Sequence, residues 1–188
     1  MRFILPLLLA ITGAALFGHG AYIHAKAWAA QLLLERAFAE TISGGRPTKP
    51  WSWADTTPTA RIVVRRINAS SIALAGSSGQ ALAFGPGHVE LTAEPGERGV
   101  AVYAAHRDTH FRFLRDVEIG DDIEITRGDG KIFHYRVDAA RVVRFDASDI
   151  DPVTDGCELV LSTCWPFDAV TPGPERYILH ATMIAPAS

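Results

Sequence analysis

Two thiols, seven imidazoles and a set of guanidinium groups are the side chains of this 188-residue chain best suited to covalent chemistry. A cysteine attacks as its thiolate, which needs a cationic or hydrogen-bonding neighbourhood and access to substrate. Cys164 closes the apolar run Glu158 to Thr163 and precedes Trp165-Pro166. Proline cannot continue a ladder, so the thiol is expected where a strand leaves its sheet. Arg176 opens the next β-prone run after the stretch Val170 to Pro174, and antiparallel pairing of the two runs would bring its guanidinium towards the thiol. The competing reading is a buried structural cysteine with an arginine on the nearby surface. Cys157 starts the same run after Asp155 and Gly156, has only acids about it, and reads as structural. Seven strand residues at about 3.3 Å each hold the two cysteines roughly 23 Å apart, far beyond disulfide reach.

Among the histidines, His106 ends the apolar run Val100 to Ala105 and opens the polar loop Arg107-Asp108-Thr109. A strand end meeting a loop is again a presenting position. His110 shares that loop and is the nearest competitor, although Phe111 and Phe113 suggest that its surroundings pack inward. His88 follows Gly85-Pro86-Gly87 in a loop, His134 and His180 fall inside β-prone runs, and His19 and His24 belong with the apolar N-terminus. His106, Asp108 and His110 alternate as chelating ligands could, but ligands so close in sequence with no distant partner are weak support for a metal. Two cysteines provide neither a disulfide framework nor a cysteine-rich zinc site. A formal charge of −3 and a pI near 6.1 exclude the broad cationic field that nucleic acid requires, so nucleic acid is not an expected partner.

The elements that must position these residues are short β-prone runs between Gly, Pro, Asn and Asp punctuation. They are Arg61 to Ile67, Ser71 to Ala75, Val89 to Thr92, Val100 to Ala105, Asp122 to Arg127, Ile132 to Ala139, Arg141 to Phe145, Glu158 to Thr163 and Tyr177 to Met183. That spacing predicts an all-β sandwich or barrel. Runs such as Ile123-Glu124-Ile125-Thr126 alternate, as strands with one face in the core do. Gly128-Asp129-Gly130 reads as a hairpin turn, and Phe111, Phe113 and Leu114 predict one short helix or packed loop over residues 109–117. The stretch from Thr41 to Pro58 reads as a linker, with Trp51 and Trp53 packing it onto the domain.

From Phe3 to Phe17 the chain is almost wholly apolar, with Arg2 before it and no acid until Glu35. Adding Gly18 to Ile23 reaches the roughly 20 residues that a membrane-crossing helix needs. The rival is a signal peptide cleaved near Ala25-Lys26-Ala27. Good helix formers from Ala25 to Phe38, with no Gly or Pro among them, favour an uncleaved span that continues as a helix. The expected organisation is a transmembrane anchor over 1–24, a juxtamembrane helix and linker over 25–59, and a catalytic domain over 60–188. Arg2 is expected on the inner side and the domain outside.

Leu161-Ser162-Thr163-Cys164, with Arg176 twelve residues later and Ala105-His106-Arg107 fifty-eight residues earlier, resembles the sortase family. Its members typically carry Thr-Leu-x-Thr-Cys, an Arg after a loop, and a His followed by Arg or Asn at a strand end. The resemblance covers Ala60 to Ile184 and implies an all-β, eight-stranded sortase-type barrel with short helices behind an N-terminal transmembrane helix. It implies Cys164, His106 and Arg176 as the catalytic set, with Thr163, Arg107 and Asp108 as substrate-contacting residues. It further implies a cysteine transpeptidase that cleaves an LPxTG-like sorting signal on a protein substrate and passes the acyl group to an amine, with no metal or organic cofactor. Cys164-Trp165-Pro166-Phe167-Asp168 and His106-Arg107-Asp108-Thr109-His110-Phe111, with the early helix around Ala25-Lys26-Ala27, look most like the sortases of Gram-negative proteobacteria. That resemblance implies a single-pass inner-membrane protein with a periplasmic domain. One residue departs from the pattern: Val160 stands where the five-residue motif has its first Thr, a strand position expected to affect packing or substrate contacts more than bond making. A cysteine hydrolase using the same residues, and a non-enzymatic binding barrel, are the alternatives.

Overall fold

The strand Pro58–Val64 alternates strictly between core and surface, whereas Ala69–Ala75, Gly99–Ala104 and Cys157–Cys164 carry runs of buried residues because their outer faces are covered too. The computed structural model describes residues 4–148, 150–151 and 153–184. In chain order it holds α1 (Ile4–Gly44), β1 (Pro58–Val64), β2 (Ala69–Ala75), the short α2 (Gly79–Leu82), β3 (Gly87–His88), β4 (Gly99–Ala104), β5 (Asp122–Arg127), β6 (Ile132–Arg144), β7 (Cys157–Cys164) and β8 (Glu175–Met183). The eight strands close in the order β1-β2-β3-β4-β7-β8-β6-β5. A barrel of this size is filled by its own side chains. Ala60, Ile62 and Val64 of β1, Ile123 and Ile125 of β5, Tyr135 and Val137 of β6, and Leu159 and Leu161 of β7 are all buried in one interior cluster.

Nine β-prone runs yield seven strands, because Ile132 to Ala139 and Arg141 to Phe145 are a single ladder and Val89 to Thr92 forms none, and the two-residue β3 makes the eighth. β6 stays paired with β8 across a register shift between Val137 and Ala139, and such a bulge bends a strand without ending it. Val89 to Thr92 is a turn instead of a strand: the Thr92 hydroxyl donates to the Val89 carbonyl at 2.7 Å and Leu91 is left-handed, with φ 63°. Arg65–Ile67 is likewise a 3-10 turn that ends on left-handed Asn68. A second 3-10 turn, Arg112–Asp116, lies within the stretch 109–117, with Phe111, Leu114 and Val117 buried in the barrel core.

α1 runs unbroken past the start of the expected linker and stops where Gly45, with φ 63°, donates to the Thr41 carbonyl at 3.0 Å, the left-handed close that glycine permits. Its outer half is exposed at Leu8, Leu9, Ile11, Leu16, Phe17, Tyr22 and Ile23. Among the described residues it is the one helix long and apolar enough to cross a membrane. Its inner half buries Ala30, Leu34, Ala37, Phe38 and Thr41, spaced by three and four so that they form one face. Leu34 and Phe38 pack with Ile72, Leu74 and Ala81 of β2 and α2, each stabilising the dock by about 1.5–3 kcal/mol. Trp51 packs as expected, meeting Phe84 edge-on at 5.0 Å. Trp53 is instead 81% exposed: the turn that the Ala54 amide closes on the Trp51 carbonyl at 3.0 Å points only one of the two indoles inward.

Candidate active site

Three neighbouring strands bring the candidate residues to one rim of the barrel. β4 and β7 are parallel, with Ala104 opposite Ser162, and the Ala105 amide extends the ladder to the Ser162 carbonyl at 3.2 Å. The same register carried onward sets His106 beside Cys164. β7 and β8 are antiparallel, and their ladder pairs Cys164 with Arg176 directly. Directly paired residues lie about 4.5–5.5 Å apart at Cα. Positions 106, 164 and 176 therefore fall at the one edge where β4 and β7 end and β8 begins.

Alternation along β7 decides which way the thiol points. Leu159 and Leu161 belong to the interior cluster, so Glu158, Val160, Ser162 and Cys164 face outward. Cys164 is half-buried and its sulfur is free. Below it on the same outer face, Val100, Val102, Val160 and Ile178 form a second apolar cluster that Val143 and Ile150 partly cover. Val160, the residue that departs from the family pattern, is 2% exposed there, so the position serves packing. A cleft of about 440 Å³ continues this face past Ile150 to Glu158 and His180.

Arg176 is half-buried. Its guanidinium donates to the carbonyls of Gly173 at 3.0 Å and Glu175 at 2.8 Å and lies 5.7 Å from the Phe145 ring centroid. Those contacts hold the guanidinium on the strand position paired with Cys164. His106 is exposed, while His110 is half-buried, with Nε2 3.5 Å from the Ala83 carbonyl. Burial pushes the His110 imidazole below its ordinary pKa, and nearby His106 adds to that. His106 thus faces solvent at the end of the β4 segment, whereas His110 turns towards α2.

The residues expected to contact substrate divide. Thr163 is buried, and its hydroxyl donates to the Ala105 carbonyl at 2.7 Å. Arg107 is buried too, and spans the loop that follows the thiol, donating to Trp165 at 3.4 Å, Ala169 at 2.6 Å and Thr171 at 3.0 Å. Both join the His106 segment to the Cys164 segment. Asp108 is exposed next to His110. Asp168 is occupied by Arg115 at 2.5 Å. Cys157 sits at the opposite end of β7, its sulfur 3.9 Å from the Gly96 carbonyl. Sequence reasoning did not reach the aromatic wall beside the thiol. There Trp165 stacks on Tyr177 at 5.9 Å, Phe167 closes on both, and Arg115 lies over Phe167 at 5.5 Å. The aromatics flanking Cys164 and Arg176 in sequence were the available signal. Among the described residues no group of three or more His, Cys, Asp or Glu side chains could hold a metal ion.

A closed eight-stranded barrel with a free, half-buried cysteine at the end of one strand, paired across the ladder with an arginine, is the frame of a strand-end cysteine enzyme. The sortase domain model matches residues 62–184, and the chain belongs to the sortase family. It is 33% identical over 122 residues to Sortase D of Bacillus subtilis, a match covering 64% of this chain and 61% of that relative, so the shared segment spans under two thirds of the relative's length. Its structure is similar to that of a Clostridium perfringens Sortase D5 transpeptidase, with TM-score 0.67, 25% identity, and coverage of 84% of this chain and 99% of that one. It also resembles a pilus-related Sortase C of Group B Streptococcus, with TM-score 0.61, 27% identity, and coverage of 69% and 68%.

Proposed function

We propose that this protein is a membrane-anchored cysteine transpeptidase acting on a sorting-signal peptide, with Cys164, His106 and Arg176 as its catalytic residues. What supports the reading is the shared rim: the parallel β4–β7 ladder ends at Ala104 and Ser162, two residues short of His106 and Cys164, and the antiparallel β7–β8 ladder pairs Cys164 with Arg176. The Cys164 sulfur attacks the carbonyl carbon of the scissile peptide, and the C–N bond breaks as His106 protonates the departing amine. A thioester remains on Cys164. An incoming amine, deprotonated by His106, attacks that thioester, and the new amide forms as the thiolate leaves. Arg176, charged at any working pH, stabilises the oxyanion of each tetrahedral intermediate.

The acyl side of an LPxTG-like segment would approach Cys164 from the outer side of the rim, where the thiol and Ser162 are only half-buried, whereas Val160 and Ile178 below them are buried under Val143 and Ile150. The resemblance of the segments around Cys164 and His106 supports membership of the Gram-negative proteobacterial group. The exposed apolar half of α1 supports a single inner-membrane span with a periplasmic domain. Full-chain protein incubated with a labelled sorting peptide and hydroxylamine or an oligoglycine acceptor tests the activity. Transpeptidation yields the hydroxamate or amide and is lost in Cys164→Ala but kept in Cys157→Ala. Free acid alone, whatever the amine concentration, identifies a hydrolase, and equal loss in both variants refutes the Cys164 assignment.

A further inference from the structure

α1 ties the position of the apolar span to the position of the thiol. Thr41 and Ile42 lie against Gly128 and Gly130 of the β5–β6 hairpin, at the rim opposite Cys164. Ten residues earlier, Gln31 donates to the Phe84 carbonyl at 2.8 Å. Earlier still, Tyr22, Ile23, Lys26 and Trp28 line a cleft of about 580 Å³ together with Thr109 and His110. The helix therefore runs from the thiol rim to the opposite rim, and the loop that carries His106 reaches the end of the apolar stretch. No Gly or Pro interrupts it between Tyr22 and Ser43. Seven residues separate Ile23 from Ala30, the first residue buried against the barrel, a rise of about 10 Å.

We propose that the Cys164 rim rests on the surface of a phospholipid bilayer, with lipid filling the cleft between Tyr22–Trp28 and Thr109–His110. This rests on the anchor reading given above. An unbroken helix docked by five buried residues has no joint at which the barrel could swing away. Tyr22 and Trp28 are 64% and 70% exposed and flank Lys26, the amphipathic aromatics and snorkelling cation of a membrane interface. The rim itself exposes Ile119 at 69% and Val170 at 98%, in the loops that lead into β5 and β8. Water solvates such side chains poorly, whereas a bilayer interface accepts them. The enzyme would then act on peptide bonds held within about a nanometre of the membrane surface, and its acceptor amine would be found at the same depth.

The experiment places single cysteines by Val170→Cys, Ile119→Cys, Lys131→Cys or Leu16→Cys in full-chain Cys157→Ala/Cys164→Ala protein. Each is labelled with bimane and reconstituted in phosphatidylethanolamine–phosphatidylglycerol vesicles. Nitroxides on lipid headgroups or on acyl chains then report depth. Quenching at 170 and 119 by headgroup nitroxide several-fold above that at 131, on the opposite rim, is the expected result. Leu16→Cys quenched by acyl-chain nitroxide while 170 and 119 match 131 overturns the rim placement and leaves the anchor standing. Leu16→Cys untouched by acyl-chain nitroxide overturns the anchor and the placement together.

Discussion

Replacing Arg107 tests whether the three strand-end positions depend on what holds the loops at the rim. Its guanidinium, 9% exposed, donates to the carbonyls of residues 165, 169 and 171, at 3.4, 2.6 and 3.0 Å. Hydrogen bonds to a charged group contribute about 1.5–3 kcal/mol each. The longest of these is weak and the freed carbonyls lie near water, so Arg107→Ala should cost about 2–4 kcal/mol, or roughly 10 °C in Tm for a domain of this size. Trp165 follows the thiol directly, so the loop carries Cys164 with it, and a shift of about 1 Å lowers turnover about 10²-fold. Arg107→Lys keeps the charge but loses the planar fork and should recover only part of both. Single-turnover acylation with saturating peptide, measured well below the melting temperature, separates the two effects: the acylation rate should fall while the apparent KM changes little. An Arg107→Ala protein with Tm within about 1 °C of the parent and unchanged acylation would refute the clamp.

Thr163→Val removes the 2.7 Å bond to the Ala105 carbonyl at nearly constant shape and should cost about 1–2 kcal/mol, with acylation slowed and Thr163→Ser restoring it; urea midpoints and single-turnover rates report both. Arg176→Lys should fold, by circular dichroism, but lose about 10²–10³ in acylation rate, the usual cost of one oriented oxyanion donor; near-normal acylation would show that a point charge suffices. His180 lies between Asp138 at 2.5 Å and Glu158 at 2.9 Å; burial disfavours its charge, yet the two carboxylates override that and raise its pKa above the ordinary 6.5. The stabilisation this confers is therefore complete below pH 6.5 and lost as pH rises through the higher folded value, so urea midpoints should fall over that window in the parent and stay flat in His180→Gln.

The places of Cys164, His106 and Arg176 at strand ends were legible because each lies where an apolar run meets a loop. Antiparallel neighbours joined by a short loop are a local inference, which is why the Cys164–Arg176 pairing could be reached from sequence. The parallel pairing of β4 with β7 could not, since their partnership depends on how the whole barrel closes. The apparent gap in β6 fell at Ala140, between the runs Ile132 to Ala139 and Arg141 to Phe145, beside a bulge after Val137 that leaves the strand continuous, with Asp138 outside it facing His180 and Thr182. Arg107 and Thr163 follow the same pattern. Their types and positions were visible, but their hydrogen bonds run between segments about sixty residues apart, and alternation along one strand is silent about such partners.

The parallel β4–β7 ladder also has a kinetic meaning. His106 and Cys164 come together only after the intervening chain, with β5 and β6, has found its place, and Arg176 arrives on the last strand. Contacts so distant in sequence form late, after loop-closure entropy has been overcome. A nascent or partly folded chain therefore carries a thiol with neither its imidazole nor its guanidinium, and no acylating centre exists until the barrel is nearly complete. Any activity that depends on all three positions is thus a property of the closed barrel and not of its separate strands.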